Sequence, residues 1–209
     1  MPKKQRTQLA ARTVREAQRE LRSVLTTLKT DYLDVVALYF VERTDEWEAL
    51  LASGSALAYC QQAKADGLIR RIGLTSHQRP LAAVAASSGL LDALMIRYNA
   101  AHRGAESEIF PITDVLKMPV IAYTALRWGA LLRPTPDDPP NFEVPSAAAW
   151  YRFVLQSPSV AVVLAAPSNE RELAEDLHVL GVAGPLESAT FERLAAHGQR
   201  VHSHADGFP

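Results

Sequence analysis

Apolar residues along this chain recur at two spacings, and the alternation between them predicts the elements. Val14, Ala17, Leu21, Val24, Leu25 and Leu28 follow the three-and-four spacing of one helix face. Thr13 and Glu16 form a capping-box pair ahead of them, so a helix is predicted from about Thr13 to Leu28. Leu33 to Val41 is an almost unbroken apolar run, too short for a buried helix and suited to a strand covered on both faces, which implies a parallel sheet. Asp45 opens helical sequence that Ser53-Gly54 interrupts and Ala56 to Ala65 resumes, and Asp66-Gly67 stops it, glycine being free to turn left-handed there.

The stretch from Gly67 to His77 is the clearest unit, a short apolar strand ending in Thr75, Ser76 and His77. In α/β proteins ligands collect at the carboxyl ends of strands, so these three residues are the first site candidates. Gln78 to Ser88 reads as helix and Leu91 to Asn99 as a strand. Glu106 to Lys117 is helical with an irregularity at Pro111, and Met118 to Thr124 is a strand. Leu132 to Pro145 holds five prolines and reads as a surface loop. Ala147 to Gln156 is helix, Val160 to Ala165 strand, and Ser168-Asn169 caps a helix to about Leu180. A helix from Glu187 to about Val201 precedes a flexible tail, 202–209.

About five parallel strands with helices between them point to an α/β fold, a (β/α) barrel or an open doubly wound sheet. The glycine-rich signatures of open-sheet nucleotide sites are missing, which favours a barrel, although a closed one needs about eight strands. The chain is read as a single domain. At 209 residues and 48% hydrophobic it has material for a substantial core. Its 22 basic and 23 acidic residues nearly cancel, so nothing marks a nucleic-acid or membrane-surface partner. With no long apolar segment and no signal-peptide pattern at the start, a cytoplasmic protein is expected. One cysteine, Cys60, excludes an internal disulfide or a multi-thiolate metal centre, and it reads as a small core residue. His202 and His204 make no metal set by themselves.

Five pieces, in order, carry a resemblance: Leu28 to Asp34, Ala63 to His77, Ile96-Arg-Tyr-Asn99, Val120 to Leu126, and Ser168 to Leu177. Together they make the chain resemble the carboxyl-terminal five eighths of an aldo/keto reductase, from roughly Thr13 to Leu180. The likeness is to the branch that carries an iron–sulfur module, whose cysteines are missing here. The resemblance implies a partial barrel of the TIM type, lacking the family's first three strands, with both sheet edges open to self-association.

It also implies NADP(H) as cofactor, weakly held. Thr75 and Ser76 match the pair on the nicotinamide carboxamide, Tyr123 the stacking aromatic, and Thr124, Ala125 and Leu126 the turn along the pyrophosphate. Ser168 and Arg171 match the 2′-phosphate site, and Asp176 stands near the adenine. Met95 replaces a carboxamide-binding glutamine. Of the proton-transfer tetrad, the aspartate and tyrosine places fall before Met1, the lysine has Lys3 or Lys4 as its nearest relic, and Tyr39 takes the histidine's place. Two classes follow: an NADP-dependent oxidoreductase of small carbonyl substrates with impaired catalysis, or a non-catalytic dinucleotide-binding or interaction module.

Overall fold

The computed structural model describes residues 6–181 and 184–204, and its first element is one that the apolar pattern does not announce. Arg6–Leu9 forms strand β1, paired in parallel with β2, Val35–Leu38, in the register Arg6 to Val35 through Leu9 to Leu38. Of its four residues only Leu9 is apolar, and it is fully buried. The extended state of Arg-Thr-Gln-Leu is therefore set by the neighbouring strand's backbone more than by its own side chains. Two expectations are corrected by it. The described residues contain six strands instead of about five, and the edge of β2, expected to be open, is covered. Lys3 and Lys4 lie outside the described residues; both precede β1 in the chain, and its carboxyl end is Leu9, followed by Ala10.

The remaining elements follow the predicted order. They are α1 (Val14–Leu28), α2 (Thr44–Leu50), α3 (Ala56–Ala65), β3 (Ile72–Ser76), α4 (Arg79–Ser87), β4 (Ala93–Arg97), α5 (Ala105–Glu108), α6 (Phe110–Leu116), β5 (Val120–Tyr123), α7 (Ala147–Leu155), β6 (Val160–Val163), α8 (Glu170–Leu177) and α9 (Ser188–Ser203). The strands follow one another in the sheet in chain order. Thr13 makes its capping box with Glu16, and Gly67 is left-handed at φ 80°. The helix expected over 106–117 is two helices that meet at Ile109, just before Pro111. His202 and Ser203, expected in a flexible tail, belong to α9, which runs through Ser203, and 205–209 lie outside the described residues.

The chain divides into two compact units, Met1–Met95 with Pro111–Met118 and Ile96–Phe110 with Pro119–Pro209. In unit 1, β2 lies between β1 and β3, all parallel. The sheet is tight at Gly73, where a Cβ would come 3.3 Å from the Ala93 carbonyl oxygen, so no larger residue fits without displacing backbone. Asp92 fastens the start of β3, accepting the Ile72 N–H at 2.8 Å and the Lys64 ammonium at 2.6 Å. Gln8 on β1 donates to the Met95 sulfur on β4 at 3.0 Å. In a flat sheet three strand spacings separate such residues by about 14 Å. Their meeting requires the strands to curl about a common concave side, as in a barrel wall.

In unit 2, β5 pairs in parallel with β6. Trp150, Tyr151, Phe153 and Val154 of α7 supply its core with Leu194 and Val201 of α9. The proline-rich loop is not loose. Asp138 accepts the Thr135 N–H at 2.6 Å and the Arg200 Nε–H at 2.7 Å, and pairs with His197 Nδ1 at 3.0 Å, which fastens the loop to α9. Phe142 stacks on His197 at 4.8 Å, and His204 meets Asp137 at 2.7 Å.

Candidate functional site

The carboxyl ends of unit 1's strands are joined by an unusual turn. Tyr39 and Phe40 leave β2, and Phe40 is left-handed at φ 55°, a conformation costly for a bulky residue unless its surroundings fix it. They do. Phe40 N–H donates to the Thr75 hydroxyl at 2.7 Å, and Arg12 donates to the Tyr39 and Phe40 carbonyls at 2.9 and 3.2 Å. Both aromatic side chains stay largely outside, 44% and 46% exposed, with Phe40 edge-on to His77 at 5.2 Å. His77 pairs with Glu42, which accepts both its backbone N–H at 2.7 Å and contact from Nδ1 at 3.1 Å. Glu42 is a site residue that the sequence does not single out, since an acid after an aromatic pair has no signature of its own.

Thr75 and Ser76 stand at the end of β3, as read from the sequence, and both are buried. Their hydroxyls are engaged inside unit 1. Thr75 accepts from Phe40 and donates to the Leu38 carbonyl at 3.3 Å, and Ser76 accepts the Gln78 N–H at 3.0 Å. They therefore act in the first place as ties between strand ends and as support for the start of α4.

Unit 2 presents a second turn, at the end of β5. Thr124, Arg127 and Trp128 are all left-handed, with φ of 55°, 48° and 52°, and Gly129 follows at 82°. Backbone bonds from Arg127 to Thr124 at 2.8 Å and from Gly129 to Leu126 at 3.0 Å close it. Asn99, fully buried at the end of β4, clamps it from beside, donating to the Thr124 carbonyl at 2.8 Å while accepting the Ala101 N–H at 2.9 Å. Tyr123 and Thr124 are half-buried and Ala125 is buried. Arg127 is only 7% exposed, and its Nε has no hydrogen-bond partner among the described residues. Loss of hydration lowers its pKa from the ordinary arginine value. Trp128, beside it, is 59% exposed.

At the start of α8 the N-cap is Asn169, whose side chain accepts the Glu172 N–H at 3.0 Å. Glu172 folds back over the same end, accepting the Ser168 N–H at 2.7 Å, and this bond holds its carboxyl below the ordinary value. A carboxylate thus occupies part of the donor set that the resemblance offers to a 2′-phosphate. Arg171 is exposed on the first turn. Asp176 is buried, 3.5 Å from the Tyr151 hydroxyl, and burial raises its pKa.

A profile of the aldo/keto reductase family matches residues 4–146. Among solved structures the chain is similar to the apo form of aldo-keto reductase AKR11C1 from Bacillus halodurans, at 18% identity and a TM-score of 0.73 over 92% of this chain and 70% of that one. It is similar to an aldo/keto reductase from Klebsiella pneumoniae in complex with NADP and acetate, at 19% identity and a TM-score of 0.72 over 93% and 69%. The glycerol dehydrogenase AKR11B4 from Gluconobacter oxydans aligns at 17% identity and 0.68 over 94% and 68%. At such identities the likeness establishes the fold, an α/β parallel sheet of the aldo/keto reductase barrel. No curated protein matches. Because the family profile spans well over half of the 209 residues, the chain belongs to the aldo/keto reductase family.

Proposed function

We propose that this member of the family binds a nicotinamide dinucleotide, NADP(H), and that its transfer of hydride to a carbonyl substrate is impaired. The observation that carries the binding half is the turn after β5, preset by Asn99 and by left-handed residues where the resemblance places the pyrophosphate. An anionic dinucleotide also fits a turn that holds a buried cation with unused donor capacity. When bound, the dinucleotide supplies the hydride. The chain's own task is to hold the carbonyl and deliver a proton.

The impairment rests on two places in unit 1. β1, the strand beside β2, ends in Gln8 and Leu9, with Ala10 following, where the resemblance calls for a lysine. Tyr39 stands for the histidine, its phenol exposed. General acid catalysis contributes a factor of about 100 to 10,000, so the substitution of two proton-handling groups lowers turnover by at least that order. The test is NADPH binding, followed by quenching of protein fluorescence, beside NADPH oxidation with a panel of aldehydes and ketones. Binding with near-background turnover supports the proposal and favours the non-catalytic module; robust turnover abolished in Tyr39→Phe would make Tyr39 a working acid and overturn the impairment. Absence of dinucleotide binding would remove the proposal altogether.

A further inference from the structure

We propose that the outer face of α8 is an interface with a second copy of this chain, the helix lying in a groove beside α1 of its neighbour. The inference is independent of the dinucleotide reading. It starts from a helix whose two sides are reversed. A surface helix ordinarily turns its apolar stripe to the core and its charges to water. In α8 the acids face inward: Glu175 accepts the Ala147 N–H at 3.1 Å, and Asp176 is buried 3.5 Å from the Tyr151 hydroxyl, both contacts being with α7. Leu173 and Leu177, with Leu180 on the turn His178–Gly181 that follows, are instead 45%, 50% and 78% exposed. Spaced four and three residues apart, they form one stripe, the pattern by which an amphipathic helix anchors in a groove. An apolar stripe left outside a unit that has a core of its own marks a contact surface.

Unit 1 carries a surface that matches it. A groove of about 820 Å³ lies between α1 and α3, with Leu21, Leu25 and Leu68 as its apolar lining and the exposed Arg22 and Lys29 at its side. Asp31 and Asp66 line it too, so its positive character comes from the flank of α1, where Arg15, Arg19 and Arg22 are all exposed four and three residues apart. The acids of that helix are drawn to its start. Glu16 accepts the Arg12 and Thr13 N–H groups at 3.2 and 3.1 Å, and Glu20 the Ala11 N–H at 3.3 Å. α8, by contrast, holds four acids against one arginine, and Glu170 is exposed beside Leu173. A leucine stripe meets an apolar groove, and an acidic helix meets an arginine flank. An anionic lipid surface would be repelled by the same acids, so the complementarity selects a second copy as the occupant. Because the two surfaces differ, the contact is heterologous, unit 2 of one copy on unit 1 of the next.

The experiment is sedimentation equilibrium of the full chain over a wide range of concentration, at low and high salt. It compares the natural chain, Leu177→Glu, and a double variant carrying Arg19→Glu and Arg22→Glu. The natural chain's average mass should rise with concentration above that of one chain, and rise less at high salt. Each variant should associate roughly 10- to 100-fold more weakly. All three positions are exposed, so circular dichroism should be unchanged. The decisive arm is a mixture of the variants. Leu177→Glu keeps the α1 surface and the arginine variant keeps the α8 surface, so the two should associate with each other at concentrations where neither does so alone. A natural chain that stays monomeric throughout overturns the proposal without any variant. Association abolished by Leu177→Glu and untouched by the arginine changes also overturns it, as the stripe would then meet its own twin. So does association that neither variant weakens, the result expected of open sheet edges. A mixture no heavier than its separate components overturns the heterologous contact.

Discussion

Gly198→Ala is the sharpest test of how unit 2 is assembled. In most helices this change is favourable, by about 1 kcal/mol, because alanine is the better helix former. Here Gly198 lies in the middle of α9 against the backbone of Ala100, and a Cβ at this position would come 2.6 Å from the Ala100 Cβ and closer still to its carbonyl carbon and oxygen. Ordinary contact needs about 1 Å more. Backbone atoms cannot swing aside as a side chain would, and Ala100 is flanked by Asn99, whose side chain bonds both Ala101 and Thr124. Overpacking of this kind costs about 1–3 kcal/mol, and with backbone on the receiving side the upper end applies. Set against the helical gain, the net effect is a loss of about 2 kcal/mol, equivalent to a fall of about 4–8 °C in Tm for a domain of this size. Thermal melts followed by circular dichroism measure it. Gly54→Ala is the control, since nothing lies within 4 Å of a Cβ there. A Gly198→Ala chain melting at or above the natural one would mean that α9 does not seat on Ala100.

Three further outcomes follow from the described contacts. Burial pushes the Asp138 carboxyl up, but hydrogen bonds from Thr135, His197 and Arg200 outweigh it and hold the pKa near about 2 instead of 3.8. A depressed carboxylate adds stability above its unfolded value and loses it as pH falls, so Asp138→Asn should be less stable by about 2 kcal/mol at neutral pH and converge on the natural chain between about pH 4 and 2 in urea titrations. Cys60 is fully buried, and burial pushes its thiol up to about 12; a disulfide reagent should label it only under denaturing conditions, and rapid labelling of the folded chain would contradict its place in α3. Arg171→Ala should weaken NADPH more than NADH in parallel fluorescence titrations, and equal losses would take Arg171 out of the 2′-phosphate site.

Most of the fold was legible because most strands are buried on both faces and must be apolar throughout. Val35–Leu38 and Val120–Tyr123 announce themselves in this way. β1 does not. A strand of Arg-Thr-Gln-Leu has no apolar run, and what makes it extended is a neighbour's row of hydrogen-bonding groups more than twenty residues away, which local pattern cannot register. The break at Ile109 was half legible through Pro111, since proline removes a helical N–H without saying which residue ends the helix before it. In the site, Thr75 and Ser76 could be placed at a strand end from sequence, but not the fact that Phe40 and Gln78 use their oxygens. Arg127 was invisible for a related reason. A single arginine just past the Val120 to Leu126 piece of the resemblance has no signature of its own; burial is a tertiary property, and the neighbouring Leu126 and Trp128 were the one local hint.

The two strand-end turns also differ in what they leave over for a ligand, and that difference bears on function. In unit 1 the side chains with the right chemistry are largely committed to one another: Thr75 to Phe40 and Leu38, Ser76 to Gln78, His77 to Glu42. A proton-transfer site built there would have to break such a bond before it could act on a substrate. In unit 2 the backbone of the turn is closed and clamped, yet the buried Nε–H of its Arg127 has no partner among the described residues. Preset geometry together with unused donors is the condition for binding without large reorganisation, whereas catalysis needs a donor already aimed at the reacting atom. Binding retained while turnover is lost is therefore the more economical consequence of this arrangement, and it is why the binding and kinetic measurements on the same chain have to be made side by side.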